Sequence, residues 1–213
     1  MINQGYFKKK FKEWRSEIFN HKYLIFFSLL LVAIVIVIDI IAGNYVTYTA
    51  NVKPVPDLIL NHFGPYDLRI LFVGAFLVIF SSLFIYPLFF RVKKLHIILI
   101  QFSFLLLLRS IFIIFTHLQT PVDAISGSFP GFLDLLKFRN DLFFSGHVAF
   151  PFLGFWVFNE NKKVRYFFLI SSILMAVTVL GMHQHYSIDV FAAFFITYGS
   201  YKMVEWTLKK FNL

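Results

Sequence analysis

Six stretches of the chain run for roughly seventeen to twenty-one residues with almost no charge: Leu24–Ala42, Ile70–Phe90, Leu95–Phe115, Leu142–Phe158, Tyr166–Met182 and Ile188–Thr207. None alternates apolar and polar positions as a half-buried strand would, and none confines its apolar residues to one stripe as a soluble amphipathic helix would. Crossing a bilayer takes roughly 20 apolar residues per helix, so the pattern predicts six transmembrane helices joined by short loops. The fold expected is an all-α integral membrane protein, a six-helix bundle. It divides into a basic amphipathic cytoplasmic segment over residues 1–22, a six-span catalytic membrane domain over 23–208 and a cytoplasmic tail over 209–213. The first apolar run is too long for a cleavable signal and has no cleavage site after it, so it reads as a span.

Alternating sides for successive spans sets two kinds of loop apart. One kind is short and basic. The other is longer and rich in helix-breaking residues: Gly43 to Leu68 carries Pro54, Pro56 and Asp57. Gln119 to Asp141 carries Ser126-Gly127-Ser128 and Pro130-Gly131, then an interfacial turn of helix expected over Phe132–Phe138. With the N-terminus inside, fifteen Lys and Arg residues fall on the inner side and four on the outer side, with Arg109 inside a span. That asymmetry predicts both termini on the cytoplasmic side and the shaped loops, with any chemistry, on the outer face.

Composition sharpens this reading. Of 213 residues, 59% are hydrophobic and 15% charged, and mean hydropathy is +0.74, which leaves too little polar surface to coat a soluble domain. The net charge of +9 would raise nucleic acid as a partner. Its location argues otherwise: Lys8, Lys9, Lys10, Lys12, Arg15 and Lys22 are interleaved with Phe7, Phe11, Trp14 and Phe19, the pattern of a helix lying on an anionic membrane surface. With no cysteine, thiol catalysis, disulfides and thiolate metal sites are excluded.

Titratable groups within spans are costly, so each is a functional candidate. Asn140 to His147 reads N-D-L-F-F-S-G-H and His183 to Val190 reads H-Q-H-Y-S-I-D-V. The separation of His147 and His185 is one round trip across the bilayer, which returns both to the outer level, where Arg109 also lies. His185 and Asp189, at i and i+4, share a helix face, so the carboxylate can hold one imidazole N–H and leave the other nitrogen as a nucleophile. His147 faces the site as proton donor to a leaving oxygen and base for an acceptor. Ser145 and Gly146 offer backbone N–H groups at a helix start, and Arg109 a forked cation, to phosphate oxygens. Asp57 or Asp141, with Tyr186, can meet a cationic headgroup nitrogen, and an N-cap role is the plainer alternative for Asp141. Asp39 reads as a structural cap or ion-pair partner. His183 and His185 make a poor metal pair because i and i+2 lie on different helix faces, and neither a metal nor a cofactor is called for.

At these residues the chain resembles the type 2 phosphatidic acid phosphatase superfamily, and within it the sphingomyelin synthase branch. The matching segments are P-V-P-D at Pro54–Asp57, R-S-I-F-I-I-F-T-H-L at Arg109–Leu118, D-L-F-F-S-G-H at Asp141–His147 and H-Y-S-I-D-V at His185–Val190. The resemblance implies His147, His185 and Asp189 as a catalytic triad at the exoplasmic face of a six-span fold. Arg139-Asn140 replaces the branch's cysteine-glycine, and the N-terminal interaction domain of some members has no counterpart. The superfamily's phosphatase motif K-x6-R-P is absent, and its S-R positions before the second histidine are Thr178 and Val179 here. A single arginine suits a diester with one charge better than a phosphomonoester with up to two.

The function expected is therefore transfer of a phosphocholine or phosphoethanolamine headgroup from a glycerophospholipid donor to a lipid alcohol acceptor, ceramide or diacylglycerol, through a phosphohistidine. Hydrolysis with water as acceptor is the alternative, and a channel or transporter ranks below both because the polar groups cluster at one end of the spans. An oligomer is left open.

Overall fold

The computed structural model describes residues 4–48, 51–131 and 138–211, and among them the regular structure is helical, with no named strand. Seven α-helices follow in order: α1 (Gln4–Asn20), α2 (Lys22–Tyr48), α3 (Phe76–Phe90), α4 (Val92–Phe115), α5 (Gly146–Val157), α6 (Lys162–Gly181) and α7 (Ser187–Lys210). A π-helical turn, Ile70–Ala75, leads into α3, and a 3-10 turn, Leu60–His62, sits in the preceding loop. Four helical segments are long and apolar enough to cross a membrane: Lys22–Tyr48, Ile70–Phe90, Val92–Phe115 and Lys162–Gly181. The chain is thus an integral membrane protein by the length and composition of its helices.

The fourth apolar run behaves differently from its expectation. The predicted span, Leu142–Phe158, is helical only from Gly146, because Asn140 to Ser145 follow an irregular path in which Asn140 and Phe143 take positive φ angles of 60° and 62°. The remaining twelve residues of α5 rise about 18 Å, well short of a ~30 Å hydrocarbon core. Leu142 and Phe144 of the irregular segment are nevertheless fully buried, so this run serves the interior of the bundle. The helical turn expected at Phe132–Phe138 falls on residues 132–137, outside the described residues.

Packing centres on α4 and α5. The long helix α2 lies along α4, α5 packs between α6 and α7, and α3 leans on α4 and α5. Gly154 permits the closest of these approaches, since a Cβ there would fall 2.5 Å from the Phe168 ring of α6. Ser172 of α6 donates to the Val148 carbonyl of α5 at 2.9 Å. Phe102 of α4 meets Phe84 of α3 at 5.2 Å and Phe150 of α5 at 5.1 Å between ring centroids, which builds an aromatic core at mid-depth. At one end of the bundle α1 turns back under α3, where Trp14 Nε1 donates to the Leu88 carbonyl at 2.8 Å, one of the acceptors that the end of α3 leaves open.

At the opposite end the two long loops clasp the α6–α7 turn. The Tyr66 N–H donates to the Gly181 carbonyl at 2.6 Å and the Ile125 N–H to the Met182 carbonyl at 2.9 Å. His183, at φ 54°, sets one ring nitrogen 2.9 Å from Asp123 Oδ2 and the other against the Phe63 carbonyl. Asp123 is held below its usual carboxylate range by that hydrogen bond.

Candidate active site

The α7 N-terminus builds the first half of the site. Asp189 is completely buried, and its Oδ2 accepts from the Tyr186 N–H at 3.0 Å and faces His185 Nδ1 at 3.1 Å. One carboxylate therefore closes the first turn of α7 and holds the imidazole. With Nδ1–H directed at Asp189, Nε2 of His185 carries the free lone pair.

The α5 N-terminus builds the second half, and the two are joined directly: the Ser145 N–H donates to the Asp189 carbonyl at 3.3 Å. Ser145 occupies the N-cap of α5, so the N-cap alternative for Asp141 does not hold. The Ser145 hydroxyl is buried without a protein partner, as is Nε2 of His147. The His147 ring is wedged between Phe72 at 4.2 Å and Phe76 at 4.1 Å. Aromatic walls of this kind fix the ring plane while leaving its edge free.

Arg109 is not the free fork the sequence suggests. Its Nη2 donates to Asp141 Oδ2 at 2.5 Å, and its Nη1 lies 3.5 Å from Asp39 Oδ1, which also accepts from the Ser110 hydroxyl at 2.9 Å. Two carboxylates thus share one guanidinium, a cluster drawn from α2, α4 and the segment before α5. Nε of Arg109 and Oδ1 of Asp141 are both buried and unpartnered. Gly146 makes room for the arginine: a Cβ there would lie 3.3 Å from Arg109 Nε.

Asp57 and Tyr186 have their polar atoms engaged by protein groups. Asp57 Oδ1 accepts from the Ile59 and Leu60 N–H groups, and its Oδ2 accepts from both the N–H and the hydroxyl of Ser187 at 2.7 and 2.8 Å. Partial burial alone would raise the Asp57 pKa, but these four donors outweigh it and hold the carboxyl below its usual range. The Tyr186 hydroxyl donates to the Gln119 carbonyl at 2.9 Å and receives the Val55 N–H at 3.2 Å, and burial pushes its pKa up. Both residues therefore tie the long loops to the start of α7.

Sequence reading missed the contributions of Ser110, Phe72 and Phe76. Ser110 carried a signal in its position next to Arg109. The two phenylalanines carried none, being two of 31 in the chain.

An apolar cavity of about 710 Å³ opens beside these groups. Arg109, Asp141, Gly146 and His147 line one end, and the rest of its wall is Phe129 of the second long loop and aliphatic and aromatic side chains of α2, α3, α4 and α5. His185 lies outside that lining and is only 6% exposed.

An apolar cavity in a membrane-embedded helical protein that ends at one histidine, with a second histidine paired to a buried aspartate at the adjoining helix start, can hold a lipid with its polar group toward the histidines. Residues 140–207, about a third of the chain, match the family model described as PAP2 superfamily C-terminal, so over this region the chain is similar to that superfamily. The matched region contains α5 to α7 and all of His147, His185 and Asp189. No curated protein and no solved structure matches the chain significantly. Asn140 sits at φ 60°, a conformation asparagine tolerates better than most residues, and its side chain accepts the Thr120 N–H at 3.1 Å.

Proposed function

We propose that the protein transfers a phospho-headgroup between lipids: phosphocholine or phosphoethanolamine leaves a glycerophospholipid for ceramide or a similar lipid alcohol, at the exoplasmic face of a six-span bundle with both termini cytoplasmic. The observation that carries this reading is the Asp39–Arg109–Asp141 cluster beside His147. One cation already shared by two carboxylates is a poor receptor for a dianionic phosphomonoester, because the added charge would go uncompensated in a low-dielectric site. A zwitterionic diester brings its own cation, and Asp141 Oδ1 is a buried carboxylate oxygen with nothing yet bound to it.

In the first step His185 Nε2 attacks phosphorus while the bond to the diacylglycerol oxygen breaks, and His147 gives that oxygen its proton. Asp189 keeps the Nδ1–H in place and stabilises the positive ring that forms. In the second step the acceptor hydroxyl passes its proton to His147 and attacks phosphorus, and the N–P bond breaks. The unpartnered Ser145 hydroxyl, the Gly146 N–H at the start of α5 and the Arg109 guanidinium support the phosphoryl oxygens.

Purified protein incubated with headgroup-labelled phosphatidylcholine or phosphatidylethanolamine, with and without ceramide, tests this. Label appearing in a new lipid only when ceramide is present is the expected result. Release of water-soluble phosphocholine or phosphoethanolamine at the same rate with or without ceramide would make the protein a hydrolase instead.

A further inference from the structure

The cavity extends much further than a headgroup needs. Along α4 it is lined from Arg109 back to Leu95, fourteen residues or about 21 Å of helix. Half of a ~30 Å hydrocarbon core is about 15 Å, so the cavity reaches beyond the depth of one leaflet. All its polar lining groups stand at the Arg109 end. The wall has a gap as well: α2 and α3 are each packed on α4 but share no packed face with one another. Leu29 of α2 and Ile85 of α3 line the cavity yet are each 52% exposed, so the space opens sideways between these two helices. In a bilayer that opening faces lipid tails.

We infer that this space is a slot for one acyl chain of the lipid substrate, admitted sideways between α2 and α3 and held with its end near Leu95 and Leu88. This rests on the headgroup reading for what lies at the Arg109 end. The occupant follows from the chemistry of the wall: a water column would find no hydrogen-bonding partners over most of the length. A hydrocarbon chain restores the dispersion contacts that an unfilled wall lacks. Because a tail leaves one apolar medium for another, burial of apolar area supplies little preference, and selection works by steric fit. Leu99, about one helical turn short of Leu95 at the deep end, is then a specificity-determining residue. The far end is tied down by α1, through Trp14 on the Leu88 carbonyl, and by the α1–α2 turn, through the His21 and His96 rings stacked at 5.9 Å.

Two phosphatidylcholine probes test the slot in lipid nanodiscs without any turnover, one with a photoreactive diazirine at the acyl terminus and one with it beside the glycerol. The terminal probe is expected to label Ile25, Leu88 or Leu95, and the glycerol-proximal probe Phe76 or Leu106. Leu99→Trp should cut labelling by the terminal probe at the deep positions about tenfold while the glycerol-proximal labels persist. Val78→Trp, on the outward face of α3, should leave both patterns unchanged. Labelling by both probes only at outward positions such as Phe191 and Phe195, or deep labelling untouched by Leu99→Trp, would overturn the slot. Deep labelling in a protein that transfers no headgroup would leave the slot standing and remove the transferase reading; transfer without deep labelling would do the reverse.

Discussion

Arg109 shows how a residue's role depends on its neighbours more than on its type. From sequence it was a lone buried cation; in the fold it is shared by Asp39 and Asp141, with Ser110 steadying Asp39. Lysine could keep the charge but not the two-armed geometry that reaches both carboxylates. Arg109→Lys is therefore expected to lower kcat/KM for headgroup transfer by roughly 10²-fold, with a thermal melting temperature close to that of the parent. A lysine variant as active as the parent would reduce Arg109 to an anchor. The His185–Asp189 contact was legible because i and i+4 share a helix face, and His147 was legible as its neighbour because a round trip of the chain returns to the same end of the bundle. The pairing of Asp39 with Arg109 was not, since it depends on how α2 rotates against α4, and both helices are apolar on every face.

At the scale of elements, each apolar run holds the greater part of one helix, with ends that differ by up to six residues at α2 and α3, because nothing but a helix satisfies the backbone over such lengths in a bilayer. The fourth run begins as irregular backbone and becomes helical only at Gly146. Leu142, Phe143 and Phe144 are as apolar as helix-forming neighbours, and composition cannot tell a buried irregular segment from a helix start. The loops carry a second lesson, because Asp57 and Tyr186 bind protein where the sequence suggested ligand. The Asp57 carboxyl, lowered from 3.8, contributes stability that is complete above that ordinary value and is lost as pH falls through the lowered one. Asp57→Asn should destabilise the protein at neutral pH by about 1–3 kcal/mol, since the amide cannot serve all four donors. It should also flatten the acid limb of melting temperature against pH. An unchanged acid limb would show that the carboxyl does not hold the loop to α7.

For the molecule as a whole, orientation is the claim that most needs its own test. Cysteines placed singly at Asn51 or Ser126 are expected to react with an impermeant thiol reagent added outside intact cells, and one at Asn161 only after permeabilisation. The native chain has no cysteine to confuse the readout. Labelling at position 161 from outside would place the site on the opposite face. The central claim, a covalent headgroup on His185, is tested most directly by rapid quenching with a labelled diester. The parent should carry acid-labile, base-stable phosphate, the signature of a phosphohistidine. His185→Ala should carry none with any substrate, and Asp189→Asn should accumulate it roughly 10²–10⁴-fold more slowly. His147→Ala should regain the first step when the leaving group is p-nitrophenolate, which departs without a proton. Label that persists without His185, or equal rescue of both histidine variants by the nitrophenyl diester, would contradict the assignment.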